Sequence, residues 1–151
     1  KVITTSSSDT TIQKYYHPEA DPFRGLISGM GNLDNEHLVW EITSHDPESP
    51  GFNFPPGGQP VFLEMEYNTN NFIAVGIFVT QIGSGITQHP IVVFQPTDGE
   101  WKKVYVNLSP SISAYNTSDY FNVFIRAQKD EAVEYPKILV DNLKLINRVA
   151  Y

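Results

Sequence analysis

Glu64 and Glu66, in the segment VFLEMEYN, stand two residues apart; in an extended chain both carboxylates then point the same way, about 7 Å apart. Paired carboxylates at such a separation can divide acid and nucleophile roles in glycoside cleavage. Acidic residues at i, i+2 on a solvent face are common, however, and nothing in the neighbouring sequence would keep one of them protonated. The four histidines, His17, His37, His45 and His89, show neither H-x-H nor H-E-x-x-H spacing, which gives a zinc site no support. IGSG at residues 82–85 lacks the G-x-S-x-G pattern of a nucleophile elbow and reads as a hairpin turn. With no cysteine there is no disulfide, no thiolate metal site and no cysteine nucleophile. The expectation is a chain that is not an enzyme.

A second chemistry has better material. Glu64, Glu66, Tyr105, Asn107, Asn122, Phe124, Arg126 and Gln128 all fall on the polar side of alternating segments. If their three strands share a sheet, they form a polar face with aromatic platforms. Such a face suits a sugar: rings stack on C–H faces while amides, carboxylates and Arg take hydroxyls. The competing reading is a solvated face with cross-strand pairs such as Glu66 with Arg126. Phe52 and Phe54 lie in the proline-rich loop HDPESPGFNFPPGGQP, residues 45–60, where they either offer rings to a ligand or cap an open end of the core. Trp40 and Trp101 read as packing residues.

The elements that must position these residues are strands. Leu38, Trp40 and Ile42 share one face of HLVWEIT, and Val61, Leu63, Met65 and Tyr67 alternate with Phe62, Glu64, Glu66 and Asn68. FIAVGIFVT, residues 72–80, is apolar on both faces, as a central strand would be, and residues 86–95 make another strand. WKKVYVNL turns Val104, Val106 and Leu108 inward, and FNVFIRAQ turns Phe121, Val123, Ile125 and Ala127 inward. In PKILVDNLKLI, strict alternation sets Asp141 on the face of Leu139, Leu143 and Leu145. Clusters of Gly, Pro, Asn, Asp and Ser separate the runs, and only residues 109–119 could hold a helical turn. Seven or more short strands with polar turns predict an all-β sandwich or barrel. No repeat or linker divides the 151 residues, so a single domain is expected over 1–151, with 1–20 an extended N-terminal segment.

The order of LEMEY, DGEWKKVYVNLS and a closing ILVDNLKLI resembles jelly-roll β-sandwiches of the carbohydrate-binding-module and galactose-binding-like type. In that family a W-x-x-V/I-x-V-x-L strand follows a Gly-containing turn, and the last strand carries an Asp between apolar residues. The match covers roughly residues 61–146, with 38–43 as an earlier strand, and looks especially like surface lipoproteins of glycan-foraging bacteria. The resemblance implies two antiparallel sheets in a jelly roll. It also implies a non-catalytic carbohydrate-binding-like module of an exported or surface-anchored bacterial protein, at the cell surface as an outer-membrane lipoprotein or in the periplasm. The alternative it leaves open is a structural or protein-interaction domain of such a lipoprotein, meeting a protein partner and no small ligand.

For Asp141 the resemblance suggests a structural calcium held with carboxylates of the N-terminal segment, Asp9, Glu19, Asp21, Asp34 and Glu36 being the candidates. No D-x-D-x-D-G spacing is present, and hydrogen bonds from Arg126, a tyrosine hydroxyl or turn amides would satisfy the same carboxylate. No cofactor is required by this reading. The ligand residues it selects are Phe52, Phe54, Glu66, Tyr105, Asn107, Phe124 and Arg126, with Asp141 as the metal candidate. The net charge of −7 argues against nucleic acid and anionic membranes. No apolar run approaches the roughly 18 residues of a membrane-spanning helix. A chain starting at Lys1 reads as a mature or trimmed one, from which an export signal would already be gone.

Overall fold

The computed structural model describes residues 12–13, 20–21, 25–26, 29–45, 51–53, 59–115 and 119–147. In chain order the strands are β1 (Ile12–Gln13), β2 (Ala20–Asp21), β3 (Gly25–Leu26), β4 (Gly29–Asn32), β5 (Val39–Thr43), β6 (Phe52–Asn53), β7 (Val61–Thr69), β8 (Ile73–Gln81), β9 (Gly85–Phe94), β10 (Lys102–Asn107), β11 (Tyr120–Gln128) and β12 (Lys137–Asn147). One helical turn, α1 (Ser109–Ile112), sits between β10 and β11, inside the segment where a turn is expected.

Two sheets face each other. The larger runs β1-β5-β11-β8-β9, with β6 beside β11, and the smaller runs β10-β7-β12-β4. Among the described residues every pairing is antiparallel apart from the short parallel pairing of β1 with β5. From β4 to β12 the chain passes back and forth between the layers, so each sheet mixes early and late strands. This is the jelly-roll β-sandwich expected from the sequence.

Alternation fills the space between the sheets. Val61, Leu63, Met65 and Tyr67 of β7 meet Ile73, Val75, Ile77 and Val79 of β8, all buried. At about 25 cal/mol per Å² of apolar surface, these inward rows are the main source of stability. Trp40 is fully buried because β4 opposite it carries glycines: a Cβ on Gly31 would run into the Trp40 ring, and one on Gly29 into the neighbouring Ile42 side chain. Its indole N–H donates to Met30 O at 3.0 Å, which satisfies the one polar atom the ring brings inside.

One strand departs from simple alternation. Ile138 and Val140 of β12 point into the core, so Leu139 and Asp141 lie on the outer face, opposite Asn68 and Glu66. Between Asp141 and Lys144 the register slips, and Asn142 takes a left-handed φ of 51°. An inserted residue reverses the parity of everything after it. Leu143 and Leu145 therefore return to the core side, where both pack against the core cluster. The expected placement of Asp141 beside those leucines is corrected: the bulge separates them. Asp141 sits on the outer face, and its Oδ1 accepts a hydrogen bond from Asn142 N at 2.8 Å.

Candidate functional site

The polar residues expected on one face are divided between two. Glu66, Tyr105 and Asn107 belong to the smaller sheet, whereas Phe124 and Arg126 belong to the larger one. The outer faces of a sandwich look in opposite directions, so the two groups cannot touch one ligand, and Glu66 does not pair with Arg126. Arg126 instead stands opposite Glu41 on β5, with Nη1 3.5 Å from Oε2.

Phe124 does not offer its ring to solvent. It is 1% exposed, packed 4.9 Å from the Phe78 ring and laid over Gly76, whose missing Cβ makes the room. Phe52 is half-exposed, but its ring lies 5.6 Å from Phe121 at the rim of an apolar cavity of about 160 Å³. Ile42, Leu63, Val123, Ile125, Leu143 and Leu145 line that cavity, so Phe52 caps an open end of the core. Phe54 lies outside the described residues.

On the smaller sheet the outward residues form three cross-strand rows: Asn107–Phe62–Ile146, Tyr105–Glu64–Lys144 and Lys103–Glu66–Asp141. The charges in them engage one another. Glu64 Oε1 lies 2.7 Å from Lys103 Nζ and 3.4 Å from Lys144 Nζ. The hydrogen bond from Lys103 holds the Glu64 carboxyl below its ordinary value despite some burial, the opposite of what a general acid needs. That bond also raises the Lys103 ammonium, which stands 5.4 Å from the centre of the Tyr105 ring. Asn107 is committed as well, its Oδ1 accepting the Ser109 amide at the entry to α1. Tyr105 remains exposed at 59% beside this ladder of paired charges.

Calcium takes about six to eight oxygens. Asp141 and Glu66 face each other, but among the described residues no group of three carboxylates or histidines converges as metal ligands would. Asp34 is spent in a turn, its Oδ1 accepting the amides of Glu36 and His37 at 2.8 and 2.7 Å. Those hydrogen bonds hold its carboxyl below the ordinary range. The described donors alone do not fit the ion.

A concave site lies elsewhere, at one end of the sandwich, where the sequence reads residues 129–136 as a turn and offers Asp34 only as a calcium donor. Asp34, Asn35, Lys129, Glu131, Glu134 and Tyr135 line a groove of about 330 Å³. The loop before β5 and the loop between β11 and β12 form its two walls, tied by Leu33 N to Pro136 O at 2.9 Å and Lys129 N to Leu38 O at 2.7 Å. Asn70 adds a clamp by donating to Tyr135 O and accepting from Lys137 N. Within the second loop Asp130 Oδ1 accepts the Ala132 amide and Lys129 Nζ donates to Val133 O. The backbone beneath Tyr135 is thus pinned while its ring is 73% exposed. An exposed ring on a pinned backbone, beside carboxylates and an amide, was signalled in the sequence only by Tyr135 next to Pro136 in an otherwise polar turn. A further cavity of about 260 Å³, at Asn68, Asn70, Gly99 and Lys137, has its amides occupied in holding loops together.

No model of a known protein family matches the chain, and no curated protein matches it. Among solved structures the chain is similar to TmCBM61, a carbohydrate-binding module solved in complex with beta-1,4-galactotriose. Identity is 12% and the TM-score 0.43, over 79% of this chain and 69% of that one.

Proposed function

We propose that this chain is a non-catalytic carbohydrate-binding-like module of an exported or surface-anchored bacterial protein, and that it holds its glycan in the Tyr135 groove. The carrying observation is the Tyr135 ring, exposed above a concave polar groove whose walls are pinned by backbone hydrogen bonds. The ring stacks on the C–H face of a pyranose, Asn35 donates to or accepts from its hydroxyls, and the Glu131 and Glu134 carboxylates accept from them. A pinned backbone spares the ligand the cost of ordering the loops. Asp34, Glu131 and Glu134 around one groove repel anionic sugars, so the reading selects neutral glycans over uronates and sulfated chains.

A glycan array carrying neutral and acidic oligosaccharides, followed by affinity gels with the parent polysaccharides, tests this. Retention on neutral glycans that Tyr135→Ala abolishes, with the melting temperature unchanged, is the expected result. Loss through Tyr105→Ala instead would move the site to the ladder on the smaller sheet. No retention on any glycan, with or without added calcium, would overturn the carbohydrate reading.

A further inference from the structure

Asp34 lines the Tyr135 groove with its two carboxylate oxygens in different states. Oδ1 accepts from three donors: the amides of Glu36 and His37 at 2.8 and 2.7 Å, and the His37 ring Nδ1 at 3.0 Å. Among the described residues no group bonds Oδ2. The turn therefore fixes the carboxylate while leaving one oxygen open. The backbone is fixed too, since Asp34 N donates to His37 O at 3.1 Å and Leu33 is tied to Pro136 of the opposite wall. None of the described hydrogen bonds holds the Glu131 or Glu134 carboxylate in the same way. Of the acids in the groove, Asp34 is thus the one oriented before a ligand arrives, which spares the ligand the cost of ordering it.

Lys129, on the other wall, is the complementary case. It is half-buried, its amide donates to Leu38 O at 2.7 Å, and its Nζ donates to Val133 O at 3.1 Å. An ammonium carries three protons and accepts nothing, so two donors remain. The two charges line one groove without meeting: among the described residues Asp34 is ion-paired with His37 alone and Lys129 with no carboxylate. Each is tied to its own loop, and the groove between them stays open. A fixed acceptor and a fixed donor facing a common space are what a ligand with neighbouring hydroxyls would satisfy, since each hydroxyl can both give and take a hydrogen bond.

From this arrangement we infer that Asp34 is the specificity-determining residue of the groove: its Oδ2 accepts from one hydroxyl of a pyranose stacked on Tyr135, while Lys129 Nζ donates to an adjacent hydroxyl of the same ring. The inference rests on the groove being the glycan site. The ligand class it names is a neutral glycan whose stacked residue carries two adjacent free hydroxyls. A residue with one of them missing or substituted leaves a charged group without its partner, and sites built to bond a hydroxyl reject such analogues strongly.

Asp34→Asn separates the two oxygens. The amide oxygen takes the place of Oδ1 in the turn, and an NH2 that only donates replaces Oδ2. The test is isothermal titration of the whole chain with neutral gluco-, galacto- and manno-trioses, and with their derivatives lacking single hydroxyls on the terminal residue. Asp34→Asn is expected to lower affinity for the tightest-binding triose at least about tenfold, with the melting temperature unchanged. One monodeoxy triose should lose the same factor on the wild type and nothing further on the variant, because both changes remove one hydrogen bond. If Asp34→Asn melts lower, Asp34→Ser, whose hydroxyl accepts from the same turn, carries the comparison. Unchanged affinity in Asp34→Asn, with binding lost in Tyr135→Ala, overturns the assignment of Asp34 and leaves the groove standing. Losses that add at every hydroxyl position do the same. A wild type that binds none of the trioses overturns this inference, and one that also retains no polysaccharide removes the groove reading with it.

Discussion

Asp141 stands directly opposite Glu66 across the β12–β7 pairing, two carboxylates on the outer face of the smaller sheet, with Lys103 next to Glu66 in the same row. Like charges placed opposite one another destabilise a sheet unless each is compensated. Neither carboxylate lacks a partner, and Asp141 is held in part by the amide of Asn142. We predict that this compensation needs no ion: a chelator shifts the melting temperature by less than about 1 °C, far below the change expected on losing a ligand bound well above its dissociation constant. Thermal melts with and without EDTA check it. A fall of many degrees that is absent in Asp141→Ala would show calcium to be part of the fold.

Glu64 gives a pH dependence whose sign follows from its partners. Its folded carboxyl is held below the ordinary glutamate value of 4.5, chiefly by Lys103. Its contribution is therefore complete above pH 4.5 and is lost as pH falls through the lowered folded value. Lys103 is raised above 10.5, so its share persists below that pH and is lost as pH rises through the raised value. Wild type should accordingly melt higher than Glu64→Gln through the neutral range, with the two curves converging in acid and in strong base. Parallel curves at every pH would mean that the pair contributes nothing, the usual result for exposed ion pairs.

The inward rows were legible because alternation is local: Val61 to Tyr67 announce their buried face in seven residues. Asp141 was misplaced because one residue in left-handed conformation, Asn142, inverts the phase, and an Asn inside an alternating run does not declare a bulge. Tyr105 and Arg126 were set on one face because sheet membership depends on long-range pairing that alternation does not contain. Phe124 read as outward, as indeed it is. Its burial comes from Gly76, a residue two strand positions from Phe78 with no sequence link to Phe124. The groove at Tyr135 joins loops about a hundred positions apart, so no spacing could have brought them together.

Gly76→Ala tests how the larger sheet accommodates Phe124. A Cβ at residue 76 would meet the carbonyl oxygen of His89 and the edge of the Phe124 ring. The ring can swing, but the carbonyl belongs to the β9 ladder and cannot move without loosening the pairing. The expected loss is about 2–3 kcal/mol, the upper part of the range for overpacking. Urea denaturation measures it. Gly83→Ala, at the tip of the β8–β9 hairpin where a Cβ meets nothing, should cost less, through its φ of 83° alone. Equal losses at the two positions would show that crowding is not the cause at Gly76.

Asn142 offers the sharpest test of the bulge. Its side chain is exposed, so substitution there removes little packing, and the left-handed φ of 51° is what the position demands. Asn tolerates that conformation, Gly adopts it freely and a β-branched residue resists it. Asn142→Val should therefore destabilise by about 1–2 kcal/mol, while Asn142→Gly stays within about 0.5 kcal/mol of wild type. Because Leu143 and Leu145 reach the core only through this residue, the strain in Asn142→Val is relieved by releasing them. Faster amide exchange should then appear from Leu143 to Ile146 and spare Ile138 to Val140, which precede the bulge. Uniform exchange along the whole of β12, or a Val variant as stable as wild type, would mean that the strand reverses its phase by some other means than the conformation of Asn142.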